Sequence, residues 1–172
     1  MTFHQLTVLS ATTIALTSQA SAQNLIVNGS FETPVLPVGY AVFATNALAP
    51  WQTAEDGFEL WRNGMEVDGS LPTFSFHGQQ SLEILSQAPS NTVSQTVVTI
   101  PGEDYSLSFF HTPRATVRSS LAVAINGLTV ATFDEDGTAL NTFQWRRYRT
   151  NFTATTSATT VIARRNTTTG SR

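Results

Sequence analysis

The chain has 172 residues, a formal net charge of −3, 41% hydrophobic residues and no cysteine. Its nine basic residues are all arginine and form no stripe along the sequence, which excludes the basic footprint of a nucleic-acid binder. Without cysteine, neither disulfides nor thiolate metal sites can hold the chain together, so packing must do so.

Residues 1–22 read as a signal peptide. The apolar run "LTVLSATTIALT" is followed by Ala20, Ser21 and Ala22, the small-residue pattern a signal peptidase accepts. The expectation is a secreted protein, extracellular or periplasmic, whose mature chain begins near Gln23 and forms a single β-sandwich domain over 23–172. No other segment is long and apolar enough to span a bilayer, so membrane insertion is not expected.

Beyond the leader the chain reads as short strands. "NLIVNGSFE", "YAVFAT", "GFELWR", "TFSF", "SLEIL", "TVSQTVVTI", "DYSLSFFHT", "SLAVAING", "LTVATF", "FQWRRYRTNFT" and "TTVIA" follow in order, with Gly, Pro, Asn or Asp in most gaps. That many short strands without an amphipathic helix predict an all-β, antiparallel sandwich. The sharpest local signal is "LAVAINGLTVATF". Asn126 and Gly127 both accept positive φ and so form a two-residue hairpin turn, which sets Ile125 opposite Leu128, Val123 opposite Val130 and Leu121 opposite Thr132. Residues 154–172 are rich in Thr, Ser and Arg, and only "TTVIA" has the character of a core strand. They are expected to form a polar C-terminal tail, leaving the sandwich short of its closing strand.

The two-residue period sorts the chemistry. In "GFELWR", Phe58 and Leu60 share one face and Glu59 and Trp61 the other; in "SLEIL", Leu82 and Ile84 lie opposite Glu83. Two acids and an indole thus lie away from the apolar set, and Arg114, in the turn "HTPRAT", is a candidate counter-charge. One reading is an ordinary solvated sheet face with a weak surface ion pair. The other is a ligand platform in which an exposed Trp61 meets a sugar ring while carboxylates and guanidinium bind hydroxyls. Neighbouring strands can also set two carboxyl groups at the spacing a glycosidase needs, so Glu59 and Glu83 are the pair a hydrolase would use. No loop in the sequence signals a cleft to desolvate one of them. His77 and His111, the only histidines after the leader, stand near no nucleophile motif. "FDEDGTAL" sets Asp134, Glu135 and Asp136 before Gly137 but lacks the spacing and distal Glu of an EF-hand calcium loop, and reads as a solvated acidic turn.

Taken together, "NLIVNGSFETP", "PWQTAEDGFELWRNG", "GQQSLEIL", "VSQTVVTIPGEDYSLSFFHTPR" and "LAVAINGLTVATF" resemble secreted bacterial proteins with a galactose-binding-like β-sandwich, relatives of plant cell-wall proteins of unknown function and of carbohydrate-binding modules. The resemblance covers about Asn24 to Phe152. It implies a jelly-roll sandwich, a polysaccharide or glycan as partner, and no intrinsic catalysis; a monomer is expected. It places Glu59 and Trp61 in the family's "(I/F)E(V/L)W" block, Glu83 in its "(V/L)EL" block and Arg114 in its "PR" turn, so these four are the expected ligand-binding residues, with no catalytic residue. It also implies a structural calcium ion where "NGSFE" meets the closing strand, with Glu32 as the metal ligand. The Asp-Asn or Asp-Asp pair with which relatives close is absent from "RRNTTTGSR". The expected function is noncatalytic binding of extracellular or cell-wall carbohydrate. A structural or adhesion protein of the matrix is the alternative, and a glycoside hydrolase a more distant one.

Overall fold

A computed structural model describes residues 23–54, 57–66, 72–84 and 90–167; the expected signal peptide and the end of the polar tail lie outside the described residues. Ten strands follow one another: β1 (Tyr40–Ala44), β2 (Gln52–Thr53), β3 (Gly57–Arg62), β4 (Gln80–Glu83), β5 (Ser90–Val98), β6 (Asp104–His111), β7 (Arg118–Ile125), β8 (Leu128–Asp136), β9 (Arg146–Thr153) and β10 (Ala158–Thr167). They pair antiparallel in a three-stranded sheet β1-β3-β4, a five-stranded sheet β2-β5-β10-β7-β8 and the ribbon β6-β9. Every element among the described residues is a strand, so the all-β antiparallel sandwich read from the sequence is the fold.

The layers meet through the apolar members of the alternating strands. Phe58 and Leu60 of β3 pack with Leu36, Leu48 and Val93 of β5, flanked by Phe43, Trp51, Leu82 and Ala163 of β10. Burying Leu60 alone stabilises the fold by about 1.5–3 kcal/mol. The β6-β9 ribbon reaches the five-stranded sheet through rings: Phe109 and His111 of β6 and Tyr148 of β9 surround Phe133 of β8.

Two expected strands are not strands. "NLIVNGSFE" turns instead of extending, because Asn28 and Phe31 take φ of 51° and 59°. Side-chain amides replace the missing ladder. Buried Gln95 accepts from Val27 N and donates to Val27 O (2.8 and 2.9 Å), while buried Gln80 accepts from Leu36 N (2.7 Å) and donates to the carbonyls of Phe31 and Pro34 (2.5 and 2.8 Å). "TFSF" is a loop folded on the end of β3, with Thr73 N donating to Met65 O (2.7 Å). Phe74 and Phe76 remain exposed.

The hairpin turn is as read, with Asn126 and Gly127 at φ 49° and 82° and Ile125 opposite Leu128. Below it the register departs. An irregularity between Val123 and Ala124 sets Val123 opposite Ala131 and Leu121 opposite Phe133, because an extra residue on one strand shifts every later pair. Leu128, although opposite the buried Ile125, is exposed. The polar C-terminal segment also differs from its reading: β10 runs well beyond "TTVIA" and lies centrally, between β5 and β7. Arginine is tolerated there because Arg165 is buried against partners rather than against apolar groups.

Candidate functional site

Antiparallel register brings the predicted acids together. Glu59 lies directly opposite Glu83, and Trp61 opposite Ser81; on the other side of β3, Val42 lies opposite Glu59 and Tyr40 opposite Trp61. Directly opposed residues share a face. Tyr40, Val42, Glu59, Trp61, Ser81 and Glu83 therefore occupy the face away from Phe58, Leu60 and the core. Arg114, from the loop between β6 and β7, completes the group, with its guanidinium carbon 5.2 Å from the Trp61 ring centroid.

All four residues expected at the site converge, but Trp61 and Glu83 do not play the expected parts. Trp61 is only 4% exposed: its indole N–H donates to Glu59 Oε1 (2.7 Å), Arg114 lies over its ring, and Phe143 meets it edge-on at 6.1 Å. An indole covered this way offers no open face to a sugar. It holds the Glu59 carboxylate in place and gives Arg114 a cation–π seat. The exposed ring on this face is Tyr40, 63% accessible, a residue sequence reasoning passed over. Its signal was present in "YAVFAT", where Tyr40, Val42 and Ala44 alternate with the inward Ala41 and Phe43.

Glu83 is a buried partner rather than an open ligand group. Arg165 of β10 donates to Glu83 Oε1 through Nη1 and to Ser119 Oγ through Nε (3.1 Å). Burial pushes the Glu83 carboxyl up from its ordinary value, opposed by Arg165 and, more weakly, by Arg114, while Glu59 adds to the upward push. Next to Ser119 on the neighbouring strand lies buried Glu135. Its carboxylate is 2.8 Å from His111 Nδ1. The acids expected in a solvated turn thus end β8 instead, paired with β7, and are not uniformly solvated. Glu135 faces inward, while Asp136 pairs with Arg118 at the surface and accepts from the Thr138 amide (3.0 Å) and hydroxyl (2.6 Å).

A tight backbone contact sets the Arg114 loop. A Cβ on Gly137 would overlap the Arg114 carbonyl oxygen, and Thr116 N donates to Gly137 O (2.7 Å). Only glycine lets the end of β8 approach this closely.

Glu32, the expected calcium ligand, reaches across to the loop entering β4. Its Oε1 accepts from the backbone amides of Gln79 (2.9 Å) and Gln80 (3.1 Å), so a cation at this carboxylate would be taken by Oε2. Among the described residues, no group of three or more His, Asp or Glu side chains is placed to hold a metal ion. Glu32 clamps the turned N-terminal segment to the loop entering β4. Gly78 is needed for that approach, since a Cβ there would overlap the Glu32 carboxylate.

A family model described as "Protein of unknown function (DUF642)" matches residues 24–171. The chain belongs to the DUF642 family. No curated protein matches this DUF642 sequence. Among solved structures, it is similar to the enzymatically active domain of tailspike protein 4 of bacteriophage CBA120, at 13% identity and a TM-score of 0.47 over 84% of this chain, which spans 19% of that one. A family 35 carbohydrate binding module from Clostridium thermocellum aligns over 73% of this chain and 85% of its own, at 11% identity and a TM-score of 0.39. A CBM4 structure aligns over 82% and 95% at 13% identity and a TM-score of 0.33. No helix among the described residues of this DUF642 chain is long and apolar enough to cross a membrane.

Proposed function

We propose that this protein binds extracellular or cell-wall carbohydrate without cleaving it, on the face formed by β1, β3 and β4. The observation that carries this reading is the exposed Tyr40 ring set beside a carboxylate and a guanidinium that are already held in place, Glu59 by the Trp61 N–H and Arg114 over the indole. An exposed aromatic face packs on the apolar side of a pyranose, and charged groups fixed at its margin accept from and donate to the ring hydroxyls. Preorganisation lowers the ordering cost of binding.

The reading is noncatalytic because the two acids cannot share a bond between them. Glu59 and Glu83 are close enough across the strands to suggest a hydrolytic pair, but Glu83 is closed off under Arg165 and cannot reach a glycosidic oxygen. Trp61 and Glu83 act as positioning residues behind Glu59 and Arg114. Export of the chain, as its first residues suggest, would bring this face to polysaccharide outside the membrane.

A glycan array followed by calorimetry tests the proposal. The expected result is a specific glycan whose affinity falls at least roughly tenfold in Tyr40→Ala and in Glu59→Gln, with unchanged thermal midpoints. An array without specific signal, or affinities indifferent to both substitutions, overturns it. Hydrolysis of the bound glycan, lost in Glu59→Gln, would overturn the noncatalytic part alone.

A further inference from the structure

The ribbon β6-β9 carries a second ordered face. Its register runs from Asp104 opposite Thr153 to His111 opposite Arg146. Ser106, Ser108 and Phe110 therefore share a face with Asn151, Arg149 and Arg147, while Phe109 and Tyr148 lie on the interior side. All of these outer residues are exposed except Phe110, which is half-buried.

Two observations set this face apart from a merely solvated sheet surface. Phe76, from the loop before β4, is stacked on Phe110 with centroids 3.5 Å apart and planes at 14°, yet remains 47% exposed. That loop is fastened from the β9 side, where the Trp145 indole N–H donates to Phe74 O (2.6 Å). An aromatic pair is thus held at the surface instead of being drawn into the core. The second observation is charge. Arg147 stands 5.9 Å from the Phe110 centroid, Arg149 donates through Nε to Ser106 Oγ (3.0 Å), and neither is in an ion pair among the described residues. The carboxylate of the ribbon's outer face is Asp104, at its far end and bonded to the Thr153 hydroxyl (2.7 Å). Two arginines, their Cα atoms about 7 Å apart along one strand, lie in a row with hydroxyls, an amide and an open ring.

A matching partner carries spaced negative charges, hydroxyls, and a ring with an apolar face. We propose that this face binds a carboxylated, uronate-bearing polysaccharide. Arg147 and Arg149 fork onto successive carboxylates, Phe76 on Phe110 is the stacking platform, and Ser106, Ser108 and Asn151 take hydroxyls. The proposal rests on the carbohydrate reading above and names its substrate class. Nucleic acid fits less well, because two arginines on a chain of net charge −3 neutralise too few phosphates for useful affinity.

The test compares polygalacturonate with its fully methyl-esterified form, using the wild type, the Arg147→Gln/Arg149→Gln double variant and Tyr40→Ala. The expected result is that wild type binds the acid form at least roughly tenfold more tightly than the ester, with a preference that shrinks as salt rises. The double variant should bind both forms at the ester's level and keep its thermal midpoint. Equal wild-type affinity for acid and ester, or an acid preference that survives in the double variant, overturns the proposal. Tyr40-dependent binding of neutral glycans without acid preference sinks this inference and spares the carbohydrate reading, whereas absence of binding to any glycan sinks both. Equally tight, arginine-dependent binding of a single-stranded oligonucleotide overturns the uronate class in favour of general polyanion binding.

Discussion

The two faces of β3 are both largely closed to solvent, by different chemistry. Toward the five-stranded sheet, Phe58 and Leu60 meet Val93 and other apolar side chains, an interaction that depends on volume and has little direction. On the other face, Glu59 and Trp61 are ordered by a hydrogen bond, an arginine over the ring and the edge of Phe143. Behind them Glu83 is balanced by Arg165. The difference teaches that burial alone does not identify core. The apolar face supplies stability and tolerates repacking. The polar face depends on partners, and removing one of them strands the other.

Breaking the buried ion pair should have the largest effect. Arg165→Met leaves the Glu83 carboxylate closed in without its counter-charge and is expected to cost about 3–5 kcal/mol in urea denaturation, with Glu83→Gln/Arg165→Met recovering more than half. Linkage gives the sign of its pH dependence. Burial already raises the Glu83 pKa above its unfolded value, and loss of Arg165 raises it further. The folded state then binds that proton more tightly than the unfolded chain, so the variant should gain stability as pH falls toward the ordinary carboxylate range and lose it as pH rises. A double variant no more stable than the single would contradict this account.

On the apolar face, Leu60→Ala should cost about 2–5 kcal/mol by opening a cavity. Glycan affinity of the protein that remains folded should be unchanged, as measured by calorimetry well below the melting transition. A large loss of affinity would mean that the two faces are coupled through the backbone of β3. Trp61→Phe probes the opposite case. It keeps a ring beneath Arg114 but deletes the N–H that holds Glu59, so stability should fall by only about 1 kcal/mol while glycan affinity falls severalfold.

Smaller still is the effect of the surface pair. The Thr138 hydroxyl and amide, with Arg118, hold the Asp136 pKa down, from 3.8 to about 2. The stability this contributes is present above the unfolded value and is lost as pH falls through about 2. The midpoint difference between wild type and Asp136→Asn should therefore close between about pH 4 and pH 2; a constant difference across that window would refute the assignment. Any effect of calcium should be the smallest, since one carboxylate is a weak site for an ion that takes about six to eight oxygens. Melts in excess calcium and in EDTA test the ion expected at Glu32, whose Oε1 already accepts from two backbone amides: coincident midpoints remove calcium from the account, and a midpoint that climbs with calcium concentration establishes it.

Much of the fold was legible because alternation is a local property. "GFELWR" coincides with β3, and "YAVFAT" and "DYSLSFFHT" begin with the strands they announce. "NLIVNGSFE" misled because its apolar residues suggested a ladder, whereas its backbone groups are satisfied by the side chains of Gln80 and Gln95. No period in a sequence announces that substitution. The convergence of Glu59, Trp61, Glu83 and Arg114 was readable from strand faces together with family blocks. Exposure was not, since it depends on what the Phe143 segment and the Arg114 loop cover.

By itself, then, the sequence determined most of the strands, the sorting of those strands into two faces, and the Asn126–Gly127 turn, because φ preference and side-chain alternation act between neighbours. Only the tertiary structure decided which polar side chain meets which. Arg165 reaches Glu83 across 82 positions, Glu135 finds His111 in the interior, and Trp61 is covered while Tyr40 stays open. Those outcomes follow from the layering of sheets and the paths of loops, where the cost of an unpaired buried charge selects partners that no local pattern records.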